Sequence, residues 1–98
     1  MRYSVFYTPY AKETLSTTYS FIKNNFGLKA ADSFLAKADK IISIITNNPF
    51  IYKASTFNEK VRIAFITKQC SLFYQVTENQ INLLFFWDNR QEPIFPNR

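Results

Sequence analysis

The chain has 98 residues, enough for one domain with a two-layer core, and is 47% apolar and 18% aromatic, which excludes disorder over most of its length. Its net charge of +5 suits an acidic partner, protein or nucleic acid, but residues 1–52 carry six basic and three acidic side chains and residues 53–98 carry six and four, which excludes a basic arm. The single cysteine, Cys70, excludes an internal disulfide, and the absence of histidine removes the side chain most used for proton transfer near neutral pH.

Residues 2–7 alternate as a short strand does, with aromatic and β-branched side chains that favour one. Thr8-Pro9 then supplies a capping hydroxyl and a proline suited to the first helical position. Ala11, Leu15, Tyr19 and Ile22 follow at helical spacing, and Gly27, the only glycine, ends that helix. A second helical stripe runs through Ala31, Phe34, Leu35, Ala38, Ile41, Ile42 and Ile45 until Asn47-Asn48-Pro49 stops it. Two amphipathic helices joined at one glycine predict an antiparallel hairpin.

Residues 50–60 read as a connection with a short extended piece at 51–53, and strands are predicted over 61–66, 71–76 and 81–88. Their polar links are short, so they form an antiparallel meander. Period-two counting puts Val61, Ile63 and Phe65 on one face and Arg62, Ala64 and Ile66 on the other, with Arg62 expected on the face turned away from the helices. The last strand is apolar on both faces, which predicts a place inside the sheet. The N-terminus is too short and polar for a secretory segment, and no apolar run approaches the ~20 residues that cross a bilayer, so a cytoplasmic protein without membrane contact is expected.

A Gly-rich phosphate loop, a metal-ligand cluster and a nucleophile elbow are all absent, so neither cofactor nor metal is expected. The remaining candidates are Lys53, Lys60, Arg62, Lys68, Tyr74 and Arg90 in the sheet half. Arg62 stands out because it interrupts an apolar strand, where its planar fork suits a phosphate or a carboxylate. Asp88 and Arg90 read first as an acid and a base that steady the strand end.

Specific residues then narrow the choice. The helix with Ala11, Leu15 and Ile22, Gly27 followed by Ala30-Ala31, the Asn48-Pro49 stop, Val61-Arg62, Leu72-Phe73-Tyr74-Gln75-Val76, and Ile81-x-Leu83 running into Asp88-x-Arg90-Gln91-x-Pro93 occur in one order across residues 3–93. In these features the chain resembles the ParE/RelE superfamily of toxins from bacterial type II toxin–antitoxin modules. The resemblance implies an α+β fold: an N-terminal strand and an antiparallel two-helix hairpin packed on a twisted antiparallel sheet. It also implies a toxin of a plasmid-stabilisation-like module, held in a hetero-oligomer by a cognate antitoxin, with Asp88, Arg90 and Pro93 as the structural signature.

RelE-like members cut messenger RNA on the ribosome with a cluster of cationic and phenolic side chains on the concave sheet face, while ParE-like members are inhibitors of DNA gyrase. RelE-like sequences carry an arginine three places before the middle-strand tyrosine; here Ser71 stands there, before Tyr74. Arg62 matches a family arginine on the preceding strand. The resemblance therefore favours the ParE-like branch, with Lys53, Lys60, Arg62 and Arg90 as binding residues and gyrase as the target. Two alternatives stay open: a ribosome-dependent nuclease using Arg62, Lys68 and Tyr74, and a degenerate member without toxicity.

Overall fold

A computed structural model describes residues 3–90 of the chain. Strand β1 (Ser4–Tyr7) leads into helix α1 (Pro9–Phe26) and helix α2 (Leu28–Asn47), followed by strands β2 (Val61–Thr67), β3 (Cys70–Val76) and β4 (Gln80–Asp88). The four strands form one sheet in the order β1-β4-β3-β2. The meander is antiparallel, as expected, but β1 joins it parallel to β4, pairing Val5 with Ile81 and Tyr7 with Leu83, so the sheet is mixed. That placement puts β4 between β1 and β3, in the interior its two apolar faces predict.

Helix α1 starts where its sequence says it should. Thr8 adopts an extended backbone, its Oγ1 accepts the Ala11 N–H at 3.1 Å, and Pro9 takes the first position. Gly27 closes the helix by donating its N–H to the Lys23 carbonyl, and its φ of 100° with ψ of 164° lies in a region open essentially to glycine alone. The same residue is the N-cap of α2, so one glycine reverses the chain direction. At the far end the Asn48 N–H bonds the Ile44 and Ile45 carbonyls before Pro49 prevents continuation.

The core lies between this hairpin and one sheet face. Ala11 of α1 and Phe34, Ala38, Ile42 and Ile45 of α2 pack on Ala64, Ile66, Leu72, Tyr74, Ile81, Leu83 and Phe86. Burying side chains such as Phe34 and Ile45 stabilises by about 1.5–3 kcal/mol each, which outweighs the modest helix propensity of the β-branched residues in α2.

The register fixes which side chains face the helices, and it corrects one expectation. Arg62 pairs with Tyr74 and Ala64 with Leu72, so Arg62, Ala64 and Ile66 share the helix side, while Val61, Ile63 and Phe65 face away. Alanine at 64 is the reason: with no side chain beyond Cβ, α2 seats closely against β2, whereas Phe65 at the same level would hold it off.

A bulge shapes the β4 edge. Phe73 pairs with Phe85 and Tyr74 with Leu83, leaving Leu84 as an extra residue. Beyond Leu83, β1 has ended, and α1 serves the freed backbone groups instead. The Thr8 hydroxyl lies 2.8 and 3.0 Å from the Leu83 and Leu84 carbonyls, and Thr14 Oγ1 accepts the Phe86 N–H at 2.9 Å. Helix α1 therefore seals the sheet edge that the short β1 leaves open.

Candidate functional site

Arg62 and Tyr74 are brought together, on the helix side of the sheet and beyond the end of α2. Arg62 Nη1 donates to the Tyr52 carbonyl at 2.6 Å, and its guanidinium lies 4.9 Å from the Phe50 ring centroid. The Tyr74 hydroxyl donates to the Pro49 carbonyl at 2.8 Å. Burial pushes the Tyr74 phenol up to about 12, with the neighbouring guanidinium pulling the other way. Both side chains thus hold the segment after α2 against the sheet, and neither presents its polar group on the open face.

Lys53 and Lys60 sit exposed in the connection before β2, and Lys68 is exposed in the two-residue turn between β2 and β3. Lys68 follows the far end of β2 from Arg62, whereas Lys53 and Lys60 lie in the chain segment next to it. The nuclease set of Arg62, Lys68 and Tyr74 is therefore not assembled as one cluster.

Asp88 and Arg90 form a two-pronged pair, Nε to Oδ1 at 3.0 Å and Nη2 to Oδ2 at 2.8 Å, and the Arg90 backbone N–H also bonds Oδ1 at 2.9 Å. The side-chain bonds from Arg90 hold the Asp88 carboxyl below its ordinary range. The Arg90 guanidinium lies 5.7 Å from the Phe21 ring centroid, which links the sheet end to α1. Next to them, Ser71 donates to Asn89 Oδ1 at 2.8 Å and the Asn89 N–H reaches the Gln69 carbonyl at 2.7 Å, so the strand end is bonded to the neighbouring hairpin. Pro93 lies outside the described residues.

The open face holds what the sequence reading did not single out, a row of aromatic rings. Tyr10 from α1 meets Phe85 at 5.6 Å between centroids, Phe85 stacks on Phe73 at 4.6 Å, and Phe57 closes on Phe73 at 6.3 Å. Trp87 packs its edge on Phe85 at 6.4 Å. Phe73, in the middle of the row, is 3% exposed. Phe6 and Phe65, by contrast, stand in solvent. The signal was present as the two-faced apolarity of β4, but Tyr10 and Phe57 are distant in sequence and only the fold aligns them with it.

A cleft of about 780 Å³ opens between the hairpin turn and the sheet end, floored by Ile22, Phe34 and Phe86 and rimmed by Thr14, Phe21 and Arg90. Among the described residues no group of three or more His, Cys, Asp or Glu side chains is placed to hold a metal ion, and no helix is long and apolar enough to cross a membrane.

The sequence model of a protein family, the ParE toxin of the type II toxin-antitoxin system parDE, matches residues 5–93. The chain belongs to the ParE toxin family. It is a type II toxin of the ParE/RelE superfamily, with the two helices and mixed four-stranded sheet of that fold. Among solved structures, this ParE-family chain is similar to the chromosomal ParDE toxin–antitoxin system from P. aeruginosa, at a TM-score of 0.76 and 15% identity over 89% of this chain and 96% of that one. It is also similar to the E. coli DinJ-YafQ toxin–antitoxin complex, at 0.67 and 11% over 92% and 96%, and to the YoeB dimer from Staphylococcus aureus, at 0.62 and 18% over 87% and 94%. At these identities the likeness is one of fold. No curated protein matches the chain by sequence.

Proposed function

We propose that this toxin stops growth in the bacterial cytoplasm by binding a protein target, DNA gyrase, and that a cognate antitoxin neutralises it in a hetero-oligomer. The observation that carries this reading is the use of Arg62 and Tyr74. A nuclease site needs a cation and a proton donor or acceptor free to reach the scissile phosphate and the 2′-hydroxyl. Here the guanidinium is committed to the Tyr52 carbonyl and the phenol to the Pro49 carbonyl, on the covered side of the sheet. The open face instead offers apolar rings, which suit a protein surface. The ParDE and DinJ-YafQ structures, both named as toxin–antitoxin assemblies, support an antitoxin partner here.

The test is expression of the chain alone in a bacterial host, with growth, messenger cleavage and plasmid supercoiling measured together. Growth arrest with relaxed plasmid and intact messenger is expected. Ribosome-dependent cleavage abolished by Arg62→Ala would reject the gyrase reading in favour of a nuclease. Normal growth at confirmed expression would reject toxicity altogether.

A further inference from the structure

Alternating positions on the four strands make up the sheet face turned away from the helices, and the pairing register identifies them. Val5 and Tyr7 pack against the helix-side core, so Ser4 and Phe6 lie on the opposite face, with Phe6 level with Asn82. In the same way Ile63 is level with Phe73, and Phe65 and Trp87 both with Ser71. None of the strand positions on this face is Asp, Glu, Lys or Arg. Only two strand residues are charged, and both belong to the helix side: Arg62 is level with Tyr74, and Asp88 with Cys70.

A sheet face that works only against water alternates its polar and charged side chains with the buried ones. Depletion of charge and enrichment of aromatic rings are instead the marks of an interface core. Large apolar side chains stand exposed on both outer strands, Phe65 on β2 at 69% and Phe6 on β1 at 48%. Between them Gln75 and Asn82 are level across β3 and β4 and supply amide groups without charge. The net charge of +5 therefore lies off this face. An acidic partner is drawn to the helices and loops that carry the lysines, and no strand position on the face offers a cation to a phosphate.

We propose that this uncharged face is the surface with which the chain holds its target protein, and that the target meets it with an equally uncharged patch of apolar side chains and amides. The contact draws its energy from burying rings, chiefly Phe65 and Phe6, rather than from ion pairs, so it is insensitive to salt. The lysines on helices and loops are left to acidic partners. The proposal rests on the reading of the chain as a toxin that acts on a protein, and it adds which surface acts and what chemistry the target presents to it.

Binding of the full chain to purified DNA gyrase is measured without DNA, beside growth arrest on expression. Phe65→Lys and Phe6→Lys are each expected to weaken binding about tenfold or more and to relieve the arrest, with unchanged circular dichroism spectra because both side chains are exposed. Phe65→Leu keeps the apolar contact and should stay within about threefold of wild type. Phe26→Lys, at a ring 67% exposed on the hairpin end and outside this face, should change neither reading. Raising salt from about 50 to about 300 mM should shift the wild-type affinity by less than about threefold. Face variants that bind and arrest growth as wild type does overturn the proposal, as does an equal loss in Phe26→Lys or an affinity that collapses in salt. Sedimentation as a dimer that Phe65→Lys dissociates gives the face to a second copy, and messenger cleavage lost in Phe65→Lys gives it to nucleic acid; either overturns it. Growth arrest without gyrase binding rejects gyrase alone, and the growth phenotypes of the same variants then decide the face. Absence of both overturns the proposal together with the reading it rests on. Should Phe65→Lys fail to fold, Phe6→Lys decides.

Discussion

Replacing Tyr74 by Phe separates a packing role from a catalytic one. The side chain is 0% exposed and its hydroxyl donates to the Pro49 carbonyl at 2.8 Å. A neutral bond of this kind is worth about 1 kcal/mol net, and leaving a buried acceptor without its donor costs about 1–3 kcal/mol. Tyr74→Phe should therefore lose roughly 1–2 kcal/mol at pH 7, read as a lower urea midpoint at an unchanged slope. A residue serving only as a proton donor on an open surface would lose activity and keep its stability.

The same substitution has a signature in pH. Burial pushes the folded-state phenol up to about 12, whereas the unfolded chain titrates near 10. The folded state therefore holds the neutral form, and the unfolded state loses its proton first as pH rises. The stabilisation is whole below pH 10 and is lost progressively as pH rises to about 12. Two pH units at about 1.4 kcal/mol each set a ceiling of roughly 3 kcal/mol on this loss. Phenylalanine cannot ionise, so the stability gap between wild type and Tyr74→Phe should narrow above pH 10 and close or reverse by pH 11.5. A gap that stays constant from pH 7 to pH 11.5 would refute the assignment of Tyr74 as a buried, neutral clamp on the segment after α2.

Three further outcomes follow from the geometry. Gly27→Ala meets no atom within 4 Å of the added Cβ, so its cost is purely conformational at φ 100°, about 1–3 kcal/mol by thermal or urea unfolding. Thr8→Ala removes a helix cap and the hydroxyl shared by the Leu83 and Leu84 carbonyls, and should cost about 1–2 kcal/mol, with Thr8→Ser restoring most of it. Cys70 is buried and its thiol is pushed up to about 11, chiefly by desolvation, so at pH 8 a disulfide reagent should modify it only as fast as the protein opens. Immediate modification of the native protein would contradict that burial.

The hairpin and the meander were legible because their signals are local. A hydroxyl and a proline start α1, a single glycine turns the chain, and Asn48-Pro49 stops α2. The parallel seat of β1 was not legible, because nothing in a four-residue strand states its partner. The facing of β2 failed for a different reason. Both of its faces are apolar, so periodicity alone favours putting the bulkier set, Val61, Ile63 and Phe65, inside. What decides is the small size of Ala64 against α2, a packing relation between residues far apart in sequence. The same error moved Arg62 to the wrong face, and with it the expectation of a free guanidinium.

The two faces of β4 then carry different meanings. Leu83 and Phe86 belong to the core under the helices, but Phe85 and Trp87 lie outside that core, in the aromatic row. Phe65 stands 69% exposed on that face, and an exposed apolar side chain of this kind fits the proposed contact with another protein. The ring geometry limits which molecule. Phe73 and Phe85 stack on each other at 4.6 Å with only 20° between their planes, so each spends a face on its neighbour. An unstacked base needs a free aromatic face, whereas leucine, valine or methionine side chains pack against edges as readily. With Arg62 withdrawn to the other side, the open face lacks that central guanidinium, which supports the proposed protein target over a nucleic acid strand.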